Sequence, residues 1–129
     1  MIKQGIAVLL ASARVPFLIL TLVLVLLGVA CALTVTHEIA WGKLAIILLV
    51  AMSSHVSVNA LNEYFDFRIG LDAVTDKTPF SGGSGALPDN PQEAQSVFQL
   101  GIASLLVTLA GGLYLVSVTG PELLLPGIA

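Results

Sequence analysis

The chain has 129 residues, of which 57% are hydrophobic and only 10% are charged, and its mean hydropathy is +0.99. Soluble domains carry roughly 25% charged residues, so this composition excludes an ordinary water-soluble domain and indicates a membrane protein. The formal net charge is −3 with five Lys and Arg residues in total, which excludes the basic surface of a nucleic-acid-binding protein. A single cysteine, Cys31, excludes an internal disulfide.

Three long stretches without charged residues predict three membrane-spanning helices. A helix rises about 1.5 Å per residue, so about 20 apolar residues cross the roughly 30 Å of hydrocarbon in a bilayer. We predict helices over about 14–36, 42–69 and 91–118, a polar loop over about 70–90, and the start of a fourth helix after Pro121. The fold class is therefore all-α, a multi-pass transmembrane helical bundle.

The first apolar stretch has an alternative interpretation as a cleaved signal, such as a lipoprotein signal that ends at Cys31. The stretch is longer than the usual apolar signal region of about 7–15 residues, and Gly28 stands where an aliphatic residue is expected. We therefore expect a retained span. Residues 1–13 are predicted to be a short interfacial segment that brings Arg14 to the membrane surface.

The positions of lysine and arginine predict the orientation in the membrane. Lys3 and Arg14 precede the first helix, and Arg68 and Lys77 follow the second. The link between the first two helices carries only Lys43. Because positive residues favour the cytoplasmic side, we expect the N-terminus and the polar loop to be cytoplasmic, in a cell inner membrane.

A stripe of polar residues marks the second helix. At about 100° per residue, its members fall within roughly 60° of one another. They are His55, Asn59, Asn62 and Asp66. Polar groups in a span generally face the bundle interior or a water-filled cavity, so the stripe is expected to point inward. A lone histidine such as His55 more often makes a hydrogen bond between helices than binds a ligand.

Four acidic residues follow within fourteen positions: Glu63, Asp66, Asp72 and Asp76. Like charges in a shared low-dielectric site repel one another unless a cation is present. Mg²⁺ is often held by carboxylates together with substrate phosphates, so the cluster predicts a diphosphate bound as its magnesium complex. The glycine-serine segment 81–85 offers backbone N–H groups to an anion. The alternatives are an acidic interfacial loop that binds nothing, balanced by nearby basic residues, and a glycine-serine segment that is only flexible.

The third helix has a predicted start and a predicted packing face. Asn90 followed by Pro91 and Glu93 is typical of an N-cap, a first-turn proline and a capping-box acid. Small residues that let another helix approach closely recur at spacings of three and four. They are Gly101, Ser104, Thr108 and Gly111.

The segment NEYFDFRIGLD, residues 62–72, resembles the first aspartate-rich motif of the UbiA family of intramembrane prenyltransferases. The family pattern is Asn-Asp-x-x-Asp followed by a further Asp, at the end of the second helix. Asn59 and the Arg14 beside Pro16 also fit the family. Glu63 departs from the pattern, since the family usually has Asp there. The resemblance spans the chain but covers only about the first three of the family's nine helices, without its second aspartate-rich motif.

The resemblance implies Mg²⁺-dependent transfer of a polyprenyl group from a prenyl diphosphate to an aromatic quinone precursor in the membrane. It implies Asp66 and Asp72 as catalytic residues. It implies a diphosphate site made of Asn59, Asn62 and Arg68, to which we add the nearby Lys77. It implies Asn62, Asp66 and Asp72 as metal ligands, and the acidic cluster adds Glu63 and Asp76 to the predicted set. We expect the chain to be the N-terminal part of a larger bundle, inactive by itself, with no nucleic-acid partner and no obligate protein partner.

Two other functions are compatible with part of the sequence. A CDP-alcohol phosphotransferase also places acids at a membrane interface, but its Asp-Gly and Ala-Arg pairs do not occur near Asp66. The alternative function is a non-catalytic three-helix membrane subunit or a cation-binding membrane protein, for which Ala129 would be the natural end.

Overall fold

The structure is a computed structural model that describes residues 2–71 and 83–124. Throughout these two ranges the regular elements are helical and none is a strand. The α-helices are α1 (Ile2–Ser12), α2 (Leu18–Thr36), α3 (Trp41–Ile69), α4 (Ala86–Asp89) and α5 (Ala94–Thr119). Short 3₁₀ turns cover Val15–Phe17, Pro91–Glu93 and Pro121–Leu124.

Three helices are long and apolar enough to cross a membrane. Among residues 2–71 and 83–124, these helices are Val15–Thr36, Trp41–Ile69 and Pro91–Thr119. The first and third each include the 3₁₀ turn that precedes the α-helix. Within the described residues, the prediction of a helical fold with three helices long and apolar enough to span a membrane is confirmed, and the helix bounds lie close to the predicted ranges. The larger bundle of about nine helices stays a prediction.

The predicted interfacial segment at the N-terminus forms a helix of its own. α1 has 11 residues and contacts α3, α4 and α5, and its Val8 is buried in the core. The chain then turns at Arg14, whose φ of 49° lies in the left-handed region. Pro16 follows in the short turn before α2, where its missing N–H costs nothing.

The largest helix–helix interface joins α3 and α5, and two glycines on α5 allow the close approach. A Cβ added at Gly101 would lie 2.7 Å from Leu61 Cδ2 and 3.3 Å from the Leu61 backbone nitrogen. A Cβ at Gly111 would overlap the Val50 Cγ2 methyl. The predicted packing stripe on the third helix is therefore confirmed at both glycines.

The predicted start of the third helix is confirmed in position, because Asn90 precedes the Pro91–Glu93 turn and Pro91 lies in its first turn, but the predicted side-chain cap is wrong. The Asn90 side chain makes no capping hydrogen bond. Its Nδ2 donates instead to the Ala86 carbonyl at 3.0 Å, and its Oδ1 accepts from Gln4 Nε2 at 2.7 Å. Asn90 thus joins α4 to α1, because a partner distant in sequence competes for the group that would have capped the helix.

The best-buried apolar cluster lies at one end of the bundle. Val8 from α1, Ala60 from α3, Leu87 from α4 and Val97 from α5 form it. Leu87 lies within the predicted loop over 70–90, so the described part of that loop is not irregular but carries the four-residue helix α4. In contrast, α2 has no buried residue and packs mainly on α3.

Candidate functional site

The predicted site residues on α3 lie in its second half, between the membrane interior and the membrane boundary. His55 lies fourteen residues beyond Trp41, about 21 Å along the axis at about 1.5 Å per residue. Asp66 lies about 16 Å further on the same scale. With Trp41 at one interface, His55 is therefore inside the hydrocarbon and Asp66 is near the opposite boundary.

His55 makes a hydrogen bond between α2 and α3. Its Nδ1 lies 3.0 Å from Thr21 Oγ1, and Asn59 Nδ2 donates to the His55 carbonyl at 2.8 Å. The interpretation of His55 as a residue that bonds two helices is confirmed. Its Nε2 is buried and has no hydrogen-bond partner among the residues that the structure describes. The first residue of the polar stripe therefore links two membrane spans, α2 and α3.

Glu63, which lies outside the polar stripe, is the most deeply buried acid of the segment that the structure describes. Its exposed fraction is 2%. The Ser84 backbone N–H donates to Oε2 at 2.7 Å, and the Ser84 hydroxyl donates to Oε1 at 2.6 Å. Two hydrogen bonds to a carboxylate offset much of the free-energy cost of removing it from water. The pair ties the end of α3 to the residues that lead into α4.

Ser84 also organises the start of α4. Its Oγ accepts a hydrogen bond from the Ala86 N–H at 3.1 Å, and Gly85 between them has a φ of 73°. This positive φ favours glycine because a side chain there would be strained. The glycine-serine segment was predicted to offer N–H groups to a bound anion. Within its described part, residues 83–85, the Ser84 N–H binds the protein's own carboxylate.

The other predicted residues on α3 are more accessible. Asp66 is half-buried, whereas Asn62 and Arg68 are exposed. Asn62 is therefore not packed between the described helices, and its facing a bundle interior or a water-filled cavity stays a prediction. α3 ends at Ile69, and the following Gly70 has a φ of 74°. Asp72, Asp76 and Lys77 lie outside the described residues.

The structure describes only some of the predicted Mg²⁺ ligands. Within residues 2–71 and 83–124, no group of three His, Cys, Asp or Glu side chains is arranged to hold a metal ion. The predicted set depends on Asp72 and Asp76, and it stays a prediction. What the described end of α3 offers is carboxylate and amide oxygens on Asp66 and Asn62, which are ligands that suit Mg²⁺. Arg68 adds a guanidinium suited to phosphate.

Sequence reasoning missed two residues that shape this region, Thr21 and Ser84. Thr21 is the first hydroxyl in α2 and stands among aliphatic residues. An isolated hydroxyl in an apolar span was the available signal, because it needs a partner in the membrane. Ser84 had no comparable signal, since any of several serines and glycines nearby could have met Glu63.

Comparison of the chain with protein-family models, with curated proteins and with solved structures gives no match. The residues and their geometry therefore carry the functional proposal.

Proposed function

We propose that this chain contributes the first acidic motif of a Mg²⁺-dependent intramembrane prenyltransferase. The enzyme would transfer a polyprenyl group from a prenyl diphosphate to an aromatic quinone precursor. The chain would form the N-terminal part of a larger bundle of about nine helices. The observation that carries the proposal is the placement of Asp66 and Asn62, one helical turn apart, at the boundary end of a membrane span with their side chains at least partly exposed.

The location suits a substrate with two unlike ends. A prenyl tail is soluble only in hydrocarbon, whereas a diphosphate requires water, cations or hydrogen-bond donors. A site at the end of α3 meets both needs, since α3 is apolar along most of its length and ends in Asp66 and Arg68. We propose that this end lies on the cytoplasmic side of an inner membrane, together with the N-terminus.

Each residue of the described segment has a proposed role. Asp66 and Asn62 would provide oxygen ligands for the metal-diphosphate. Arg68 would donate hydrogen bonds to the diphosphate oxygens and favour departure of the negative leaving group. Asn59 has its Nδ2 held by the His55 carbonyl, so Oδ1 is the atom through which it would contact the ligand. Asp72, Asp76 and Lys77 enter the proposal from the sequence alone.

The reaction breaks the bond between C1 of the prenyl group and the diphosphate oxygen. The aromatic acceptor then forms a new carbon–carbon bond to C1 and loses a ring proton. Mg²⁺, when bound, would supply positive charge that neutralises the departing diphosphate. Asp66 and Asn62 would orient the leaving group, and the apolar surface around α3 would keep water from the allylic carbon.

We leave Glu63 out of the proposed ligand set. Both of its oxygens accept hydrogen bonds from Ser84, and its side chain is almost fully buried. Its proposed role is to position the end of α3, which includes Asp66 and Arg68. The Glu63–Ser84 contact joins this end of the helix to the residues before α4.

The test is an assay of the protein expressed from its complete gene and reconstituted in liposomes. Radiolabelled geranylgeranyl diphosphate and a hydroxylated aromatic acid are supplied with and without Mg²⁺. We expect a prenylated product only with Mg²⁺, and a loss of roughly 100-fold or more in Asp66→Asn, the size seen when one electrostatic contact of a transition state is removed. Asp89→Asn, which alters an exposed acid on α4, is the matched control. Unchanged turnover in Asp66→Asn would refute the assignment, and a non-catalytic membrane subunit would give no product in any variant.

A further inference from the structure

A second site lies at the opposite end of the bundle, between the last half of α2 and the start of α3. A cavity of about 630 Å³ is formed there, within the range of about 300–1,000 Å³ that ligand sites occupy. Val25 and Val29 from α2, with Leu44 and Ile47 from α3, provide apolar walls. Gly28 also lines the cavity, and a Cβ added there would meet nothing within 4 Å.

The mouth of this cavity carries one negative and one positive side chain. Glu38 and Lys43 both line it and both are exposed. Among the described residues they form no ion pair with each other. Thr36, also at the mouth, donates its hydroxyl to the carbonyls of Ala32 and Glu38. The two charged groups are therefore the ones available to a ligand.

The depth of the cavity relative to the membrane is set by α3. Trp41 is exposed in the first turn of this span, and tryptophan is enriched at the membrane–water interface. Lys43 follows two residues later, and lysines near span ends extend to the same interface. The charged mouth thus lies at the level of lipid headgroups, and the apolar walls descend into the hydrocarbon.

We propose that this cavity binds a phospholipid whose headgroup ends in a primary ammonium, of the phosphatidylethanolamine type. Lys43 pairs with the lipid phosphate, Glu38 pairs with the ammonium, and an acyl chain lies along the apolar walls. Complementary charge selects this lipid. An anionic glycerol headgroup gives Glu38 no cation, and a quaternary ammonium has no N–H to donate to the carboxylate.

Native mass spectrometry tests the proposal on the protein from the complete gene, reconstituted with equal amounts of ethanolamine, choline and glycerol phospholipids of identical acyl composition. After extraction in mild detergent, we expect one retained phospholipid per chain. We expect enrichment of the ethanolamine lipid of about fivefold over the other two, the ratio that an exposed ion pair supports. Glu38→Gln should abolish this preference, and Lys43→Gln should reduce retention of all three lipids.

A pair of glycine variants separates binding in the cavity from general lipid adhesion. Gly28→Leu places a side chain in the cavity and should remove the retained lipid. Gly112→Leu is the control, because Gly112 lies in the α5 span and a Cβ there also meets nothing within 4 Å. Helix content by circular dichroism establishes that both variants fold. Equal retention of the three lipids, equal effects of the two glycine variants, or a protein dimer that retains no lipid would each overturn the proposal.

Discussion

The Glu63 carboxylate accepts hydrogen bonds from both the backbone N–H and the hydroxyl of Ser84, at 2.7 Å and 2.6 Å. These contacts join residues 21 positions apart in sequence. The segment between them begins with Asp66 and Arg68, the residues that we propose contact a metal-diphosphate. The contact between the buried Glu63 carboxylate and Ser84 therefore joins the two ends of the segment that carries the proposed chemistry.

Removal of either partner should destabilise the fold. Glu63→Gln replaces one carboxylate oxygen with an N–H group, so one Ser84 donor loses its acceptor in a buried site. We expect a loss of about 1–3 kcal/mol in the free energy of unfolding, measured by SDS titration of circular dichroism in detergent micelles. Ser84→Ala should lose a similar amount, and the double variant should lose less than the sum. Ser117→Ala is the control, because that exposed hydroxyl donates only to the Tyr114 carbonyl of its own helix. Equal effects of Ser84→Ala and Ser117→Ala would contradict the pairing.

The dependence of activity on Mg²⁺ separates a positioning role for Glu63 from a ligand role. In the protein from the complete gene, Glu63→Gln should lower the folded fraction. It should leave the Mg²⁺ concentration for half-maximal turnover within about twofold of the wild type, because a residue that does not coordinate the ion removes none of its oxygen ligands. Asp66→Glu, which retains the ligand type but moves it by one methylene, should raise that concentration. A large shift in Glu63→Gln would restore Glu63 to the metal site.

The contact between Thr21 and His55 should stabilise the packing of α2 on α3. Thr21→Val keeps the shape of the side chain and removes its hydroxyl, so Nδ1 of His55 loses its partner. Hydrogen bonds between membrane helices average about 0.6 kcal/mol and reach about 1.7 kcal/mol, and we expect a loss in this range. Thr108→Val serves as the comparison, because Thr108 donates to the Ser104 carbonyl of its own helix. The interhelical contribution is disproved if Thr21→Val is no less stable than Thr108→Val.

Two glycines on α5 should be intolerant of even one methyl group. Gly101→Ala would bring its Cβ to 2.7 Å from Leu61 Cδ2, and the Cβ of Gly111→Ala would overlap the Val50 side chain. Because of this overpacking, each variant should lose about 1–3 kcal/mol in the free energy of unfolding. Gly112→Ala adds the same methyl where nothing lies within 4 Å and should be neutral or slightly stabilising. Thermal unfolding in detergent measures all three. Similar melting temperatures for the Gly111 and Gly112 variants would show that α3 and α5 are not in close contact at this position.

The three spans and their closest interface were predictable because they depend on local features. Charge-free length sets a membrane span, and glycine at helical spacing marks close approach, so the α5 residues Gly101 and Gly111 could be identified from sequence alone. The polar stripe on α3 was identified as well, but its periodicity gave no information on burial. Among the described residues Asn62 is exposed, and Glu63 is buried although it lies outside the stripe.

The residues that sequence reasoning misplaced all depend on a distant partner. Glu63 is buried because Ser84 satisfies both of its oxygens. Asn90 does not cap its helix because Gln4 of α1 and the Ala86 carbonyl hold its side chain. The hydrogen-bond partners of these side chains depend on which groups the tertiary fold brings together. No local sequence pattern predicts them.

The most direct test of the proposed function is equilibrium binding of a prenyl diphosphate by the liposome-reconstituted protein from the complete gene. A thiodiphosphate analogue, which resists cleavage, is titrated with Mg²⁺ or with EDTA. We predict binding at least about tenfold tighter with Mg²⁺, a difference of about 1.4 kcal/mol, and loss of this difference in Asp66→Asn but not in Asp89→Asn. Equal affinity with and without Mg²⁺, or a Mg²⁺ effect that survives in Asp66→Asn, would contradict a metal-diphosphate site at the end of α3.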